Sequence, residues 1–111
     1  MRILLTGANG YVGRRLLPEL LSQGHEVICC VRDKNRLGLD KTTQERITIW
    51  EVDFLHPINL NNLPEKIDVA YYLIHSMTSS TSDFVVMEGL SAHNFNLYMN
   101  EIGVKQVIYL S

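Results

Sequence analysis

Residues 1–13 read Met1-Arg-Ile-Leu-Leu-Thr-Gly-Ala-Asn-Gly-Tyr-Val-Gly13. A short apolar run passes straight into glycines at 7, 10 and 13. Behind them Leu16, Leu17, Leu20 and Leu21 recur at helical spacing. The stretch reads as a buried strand, a glycine turn and a helix N-terminus. Such a helix end offers backbone N–H groups without intrahelical partners and roughly half a positive charge, the ingredients of a phosphate site. Each glycine has its own reason. Gly7 permits the tight turn out of the strand, Gly10 lets a pyrophosphate approach a backbone without Cβ, and Gly13 lets the helix lie close to the sheet.

The spacing G-x-x-G-x-x-G departs from the commoner dinucleotide form G-x-G-x-x-G. On its own the pattern is a weak signal, with an ordinary glycine-rich strand-to-helix turn as the alternative. Its position between a strand and a helix is the context that gives it weight.

Working outward, strands and helices alternate along the rest of the chain. Ile3 to Thr6 is the first strand, and a helix from Tyr11 to Ser22 follows, stopped at Gly24. Pro18 inside it removes one backbone hydrogen bond and predicts a kink. Glu26 to Val31 is continuously apolar after its first residue, like a strand covered on both faces. Arg32 to Glu45 reads as a short helix or an ordered loop. Ile47 to Val52 is a third strand, and Phe54 to Pro64 a connection compatible with one helical turn. Asp68 to Ile74 is the fourth strand and His75 to Ser82 a polar loop. A helix from Asp83 to Ile102 follows, with Ser82 or Asp83 as its cap. It carries Phe84, Met87, Ser91, Phe95, Tyr98 and Ile102 near one face, a core stripe. Gly103 ends it, and Lys105 to Leu110 is the fifth strand.

This alternation implies a parallel sheet with right-handed crossovers. With a dinucleotide turn after the first strand, the expected strand order is 3-2-1-4-5. Ligands then sit at the carboxyl ends of the strands, where the order reverses. A flavodoxin-like order would want a Ser- and Thr-rich phosphate loop after the first strand, and Ala8-Asn9-Gly10-Tyr11 is not one.

The 111 residues suffice for one domain and one core. Apolar residues make up 46%, charged residues 20%, and the formal net charge is −2. That balance and the scattered basic residues speak against nucleic acid or an anionic membrane as a partner. No apolar run approaches the roughly 20 residues a bilayer span needs. Cys29 and Cys30 are neighbours and in a strand point to opposite faces, as small core residues of a reducing, cytoplasmic compartment.

The remaining candidate site residues follow the strands. Ribose recognition falls about 20 residues after the glycine turn, at the end of the second strand, where an acidic residue accepts from the ribose hydroxyls of NAD. Here that end reads Val31-Arg32-Asp33. A guanidinium at Arg32 suits the 2′-phosphate of NADP, while Asp33, turned inward, suits an NAD ribose. NADP is the expectation and NAD the alternative. Arg14 either faces the phosphates or stands as an exposed helix charge. Asp53 after the third strand can accept from the adenine amino group, with Phe54 on the ring; otherwise it is a turn aspartate. His75 after the fourth strand lies near the run of a nicotinamide ribose, or is a satisfied loop histidine. His25, His56 and His93 have no metal spacing.

Thr6-Gly7-Ala8-Asn9-Gly10-Tyr11-Val12-Gly13 resembles the TGxxGxxG signature of the extended and atypical short-chain dehydrogenase/reductase superfamily. Val31-Arg32 is similar to the strand-two ending of its NADP-preferring, NmrA-like members, and Val52-Asp53 to the family's adenine-contacting Asp. Tyr71-Tyr72-Leu73-Ile74-His75-Ser76-Met77 resembles a bacterial subgroup of nucleoside-diphosphate-sugar-epimerase-like proteins. The resemblance runs in order to Tyr109-Leu110-Ser111. It implies an α/β Rossmann-type doubly wound parallel sheet and a cofactor site at Gly7, Asn9, Gly10, Tyr11, Val12, Gly13, Arg32, Asp53, Phe54 and His75. The implied chemistry is hydride transfer. The family's Y-x-x-x-K pair lies well beyond strand five. Here Tyr71, Tyr72 and Tyr98 lack a Lys four residues on, and Tyr11 has Arg15 there. Ser111 stands at the threshold of the family's catalytic Ser or Thr. Residues 1–111 are therefore expected to be the cofactor-binding, amino-terminal portion of a longer protein, truncated after strand five and inactive alone. That protein is expected to be an oxidoreductase or epimerase, or else a non-catalytic dinucleotide sensor.

Overall fold

The computed structural model describes residues 1–73 and 82–109, and the side chains of 1–73 and 88–109. Five strands form one sheet: β1 (Arg2–Thr6), β2 (Glu26–Val31), β3 (Thr48–Glu51), β4 (Val69–Tyr72) and β5 (Gln106–Tyr109). The order is β3-β2-β1-β4-β5 and every pairing is parallel. This is the Rossmann-type arrangement expected from the glycine turn, with the order reversing at β1.

Period-two alternation divides the strands between two cores. Ile3, Leu5, Val27 and Cys29 pack with Leu17, Leu20 and Leu21 of α1 (Tyr11–Ser22). Leu4, Ile28 and Cys30 pack on the opposite face with Phe95, Tyr98 and Met99 of α3 (Ser82–Ile102). The two cysteines thus lie on opposite faces, both buried and free. The α3 stripe holds at Ser91, Phe95, Tyr98 and Ile102, and it gains Asn94 and Met99. Phe84 and Met87, the Ser82 or Asp83 cap, Ile74, Leu110 and Ser111 lie outside the described residues or side chains. α1 runs through Pro18, which stands on its exposed side.

Two connections sharpen or correct the sequence reading. Arg32 to Glu45 folds as a 3₁₀ turn at Lys34–Arg36 and a short helix α2 (Lys41–Glu45), each capped by the aspartate before it. Phe54 to Pro64 forms turns rather than a helical turn. Side chains there compete for the backbone: Asp53 Oδ1 accepts from the Leu55 N–H at 2.9 Å, and Asn59 Oδ1 from the Asn61 N–H at 3.0 Å. α3 holds the segment from below. Asn94 Nδ2 donates to the Phe54 and His56 carbonyls at 2.7 and 3.1 Å, and the Asn59 N–H donates to the Tyr98 hydroxyl at 2.8 Å.

Candidate functional site

The β1–α1 turn is built almost wholly from backbone. Gly7 has φ +69°, and a Cβ there would lie 2.5 Å from the Leu73 carbonyl oxygen. The Gly10 N–H donates to the Gly7 carbonyl at 2.9 Å, and the Arg14 N–H to the Gly10 carbonyl at 2.9 Å. Gly10 is the N-cap of α1 in extended conformation, with no side-chain cap and no acidic residue in the first turn. The N–H groups of Tyr11, Val12 and Gly13 are therefore left for an acceptor from outside. At Gly13 a Cβ would collide with the Gly7 carbonyl oxygen and approach Ala8 Cα to 2.8 Å. The glycine thus brings the helix against the turn itself, a closer and more local contact than the sheet packing expected of it.

Thr6 completes this frame. Its hydroxyl donates to the Tyr71 carbonyl at 3.2 Å and accepts from the Leu73 N–H at 2.9 Å. The buried side chain carries the β1–β4 pairing past the end of the ladder and holds Leu73 over Gly7. Sequence reading missed this role, since a strand-ending Thr looks like any β-branched strand residue.

A crevice of about 760 Å³ opens at the carboxyl ends of β1, β2 and β3. Thr6, Gly7, Asn9, Arg32, Asp53 and Phe54 all line it. Val12 packs against the α1 core, and Tyr11 is 67% exposed with the Arg15 guanidinium carbon 4.4 Å from its ring centre. Asn9 and Arg32 are exposed. Phe54 enters from the core side. It is only 9% exposed, edge-on to Trp50, Phe95 and Tyr98 at 6.1, 5.4 and 5.8 Å, so its ring is a floor rather than a free stacking plate. The Asp53 carboxylate serves its own turn through the Leu55 N–H, with His56 Nε2 3.3 Å away, and remains on the crevice wall. His75 lies outside the described residues.

The structure also adds Arg36, Leu37, Leu73, Glu88 and Ser91 to the wall. The 3₁₀ turn carries Arg36 to the lip beside Arg32. No periodicity marks a single turn, and only Asp33 as its cap could have signalled it. Arg14 reaches across as well, its Nη2 3.6 Å from where a Gly38 Cβ would stand.

Burial pushes the Cys29 thiol up to about 12 and the Cys30 thiol well above its ordinary value. Cys30, on the crevice wall, is thus a protonated core residue rather than a nucleophile. Among the described residues no group of three or more His, Cys, Asp or Glu could hold a metal ion. No described helix is long and apolar enough to cross a membrane.

The residues present fit a nucleotide with a diphosphate: Gly7, Asn9, Arg32 and Arg36 line one crevice, and the uncapped helix end follows directly on that turn, although Gly10, Tyr11, Val12 and Gly13 do not themselves line it. Comparisons with known proteins agree. The structure of an NAD-dependent epimerase/dehydratase assigned in Bacillus halodurans matches all of this chain and 51% of its own, with TM-score 0.77 and 27% identity. Triphenylmethane reductase of Citrobacter sp., solved with NADP(H), matches 98% of this chain and 37% of its own at TM-score 0.74 and 19% identity, a likeness of fold. The photosystem II assembly factor Ycf39 of Synechocystis sp. is 25% identical over 114 residues, covering 100% of this chain and 33% of that protein. The chain thus spans about a third to a half of the length of these proteins. A family model described as NAD(P)H-binding matches residues 7–111, from the glycine turn through β5. The chain belongs to that NAD(P)H-binding family, and its cofactor is a nicotinamide dinucleotide.

Proposed function

We propose that residues 1–111 are the NADP-preferring, dinucleotide-binding portion of an oxidoreductase or a nucleoside-diphosphate-sugar-epimerase-like protein. One observation carries the reading: the turn that leads into the uncapped N-terminus of α1 lines, through Gly7 and Asn9, the crevice that Arg32 and Arg36 also line. In this reading the N–H groups of the α1 first turn hold the diphosphate, and Gly10 leaves the approach clear. Arg32 takes the 2′-phosphate by charge-assisted hydrogen bonds. Asp53 and Phe54 bound the adenine end, and Asn9 and, from its place in the sequence, His75 are the proposed contacts of the rest of the cofactor. A bound nicotinamide supplies hydride transfer. This chain's residues bind and orient it.

A second reading is a non-catalytic sensor, in which dinucleotide occupancy changes partner binding. The end-to-end similarity to a protein named as an assembly factor favours it. Titration calorimetry with NADPH and NADH tests what the two readings share, and Arg32→Asp tests the preference. Wild type is expected to bind NADPH more tightly, and the variant to reverse that order by about tenfold or more. An unchanged ratio removes Arg32 from the account. Steady hydride turnover by the full-length protein would then select the enzyme over the sensor.

A further inference from the structure

We propose that Asp33 governs cofactor choice as a positioning residue: it holds the turn Lys34–Arg36 so that the Arg36 guanidinium stands on the crevice beside Arg32. The inference rests on the NADP reading above.

Asp33 occupies a position from which a carboxylate could accept from ribose hydroxyls. One of its oxygens is already engaged elsewhere. Oδ1 accepts from the Asn35 N–H at 2.9 Å, and Oδ2 lies 3.9 Å from Arg36 Nε. Its carbonyl accepts from the Arg36 N–H at 3.0 Å. The turn is also pinned from beneath, because Leu37 is 2% exposed and lines the crevice floor. A capped start and a buried end hold the Arg36 backbone, while its side chain is 88% exposed.

The charges lining this end of the crevice are Arg32, Asp33 and Arg36, with Asp53 and Glu88 along its walls and Arg14 reaching toward Gly38 just after the turn. Two guanidiniums and one carboxylate line the lip, and the carboxylate approaches Arg36 alone. A phosphate monoester dianion matches that excess and the planar donors that carry it. A ribose diol does not, since the carboxylate it would seek serves the turn. Asp33 thus favours NADP through Arg36 where a sequence reading would have it favour NAD.

The test is titration of the chain with NADPH and with NADH, in wild type, Asp33→Asn, Asp33→Ala, Arg36→Ala and the Asp33→Ala/Arg36→Ala pair. Asp33→Asn keeps an acceptor for the Asn35 N–H and should keep the NADPH preference. Asp33→Ala removes the cap and should weaken NADPH about fivefold with NADH unchanged. Arg36→Ala should weaken NADPH about tenfold or more. The pair should bind NADPH no more weakly than Arg36→Ala alone, because Asp33 acts through Arg36. Loss of NADH affinity in both Asp33 variants would make Asp33 a ribose acceptor and overturn the inference. So would an Asp33→Ala protein with wild-type affinities. If wild type binds neither nucleotide, or prefers NADH, the NADP reading fails and the inference falls with it. A preserved wild-type preference with a silent Asp33 overturns this inference alone.

Discussion

At Asp40 the chain caps its own helix, and at Gly10 it does not. The Asp40 carboxylate accepts from the Thr43 N–H at 2.7 Å, closing the start of α2, and Asp33 does the same for the 3₁₀ turn. α1 is the longer element and the one packed on the sheet, yet its N-cap is a glycine without a side chain to offer. Glycine at an N-cap sacrifices only a few tenths of a kcal/mol relative to aspartate, so stability alone decides little between them. What differs is the use of the donors. Where the chain supplies the acceptor the first-turn donor is satisfied from within, and where it withholds one the donors of the helix end have no acceptor from their own cap. Two helix starts of one chain thus separate a closed end from an open one by a single side chain.

The largest expected effect concerns what holds the open end in place, since no cap does. Gly13→Val drives a branched side chain into the Gly7 carbonyl and Ala8 Cα, contacts made by backbone that cannot step aside. Equilibrium denaturation should show a loss of about 3 kcal/mol or more, at the upper end of overpacking penalties. A loss below about 1 kcal/mol would mean that the turn relaxes freely and that backbone contact is not what fixes α1.

Gly10→Asp turns the open end into a copy of the closed ones. Gly10 has φ −83° and ψ 178°, which any residue adopts, so the substitution carries no backbone strain. The new carboxylate should cap the α1 first turn and leave stability equal or raised by a few tenths of a kcal/mol. It also places a negative charge where a diphosphate would sit. Binding of NADPH and NADH should fall together by about a hundredfold or more, since buried like-charge contact costs several kcal/mol. A variant that is capped, stable and still binds would show that the helix end is not the phosphate site.

The same contrast explains what sequence alone discloses. The sheet was legible because Ile3, Leu5, Val27 and Cys29 alternate with Leu4, Ile28 and Cys30 while both sets stay apolar, a pattern proper to a strand covered on both faces. The open turn was legible because glycines announce themselves. The lip was only partly so. Arg32 follows directly from a strand end, but Arg36 depends on a turn of three residues, too short for any period to appear. The connection after β3 misled for a related reason. Asn-Leu repeats fit a helical turn locally, while Asn94 and Tyr98, some 40 residues away, hold the backbone in another shape. Thr6 shows the same limit, for its hydroxyl matters only once β4 lies alongside.

The smallest expected effect lies on the closed side of the comparison. The Thr43 N–H holds the Asp40 carboxyl below its ordinary value, and the Thr43 side chain adds to this. A lowered folded value means that the folded protein binds the proton less readily than the unfolded chain. The contribution is therefore whole above the ordinary aspartate value of 3.8 and fades as pH falls through the lowered one. Asp40→Ala should melt slightly earlier than wild type at neutral pH, and the two curves should converge in acid. Asp40→Asn keeps an acceptor oxygen and should stay close to wild type at neutral pH. Neither variant should alter dinucleotide affinity, because Asp40 does not line the crevice. An Asp40→Ala protein that bound NADPH differently would erase the division between the turn that caps itself and the turn that waits for a ligand.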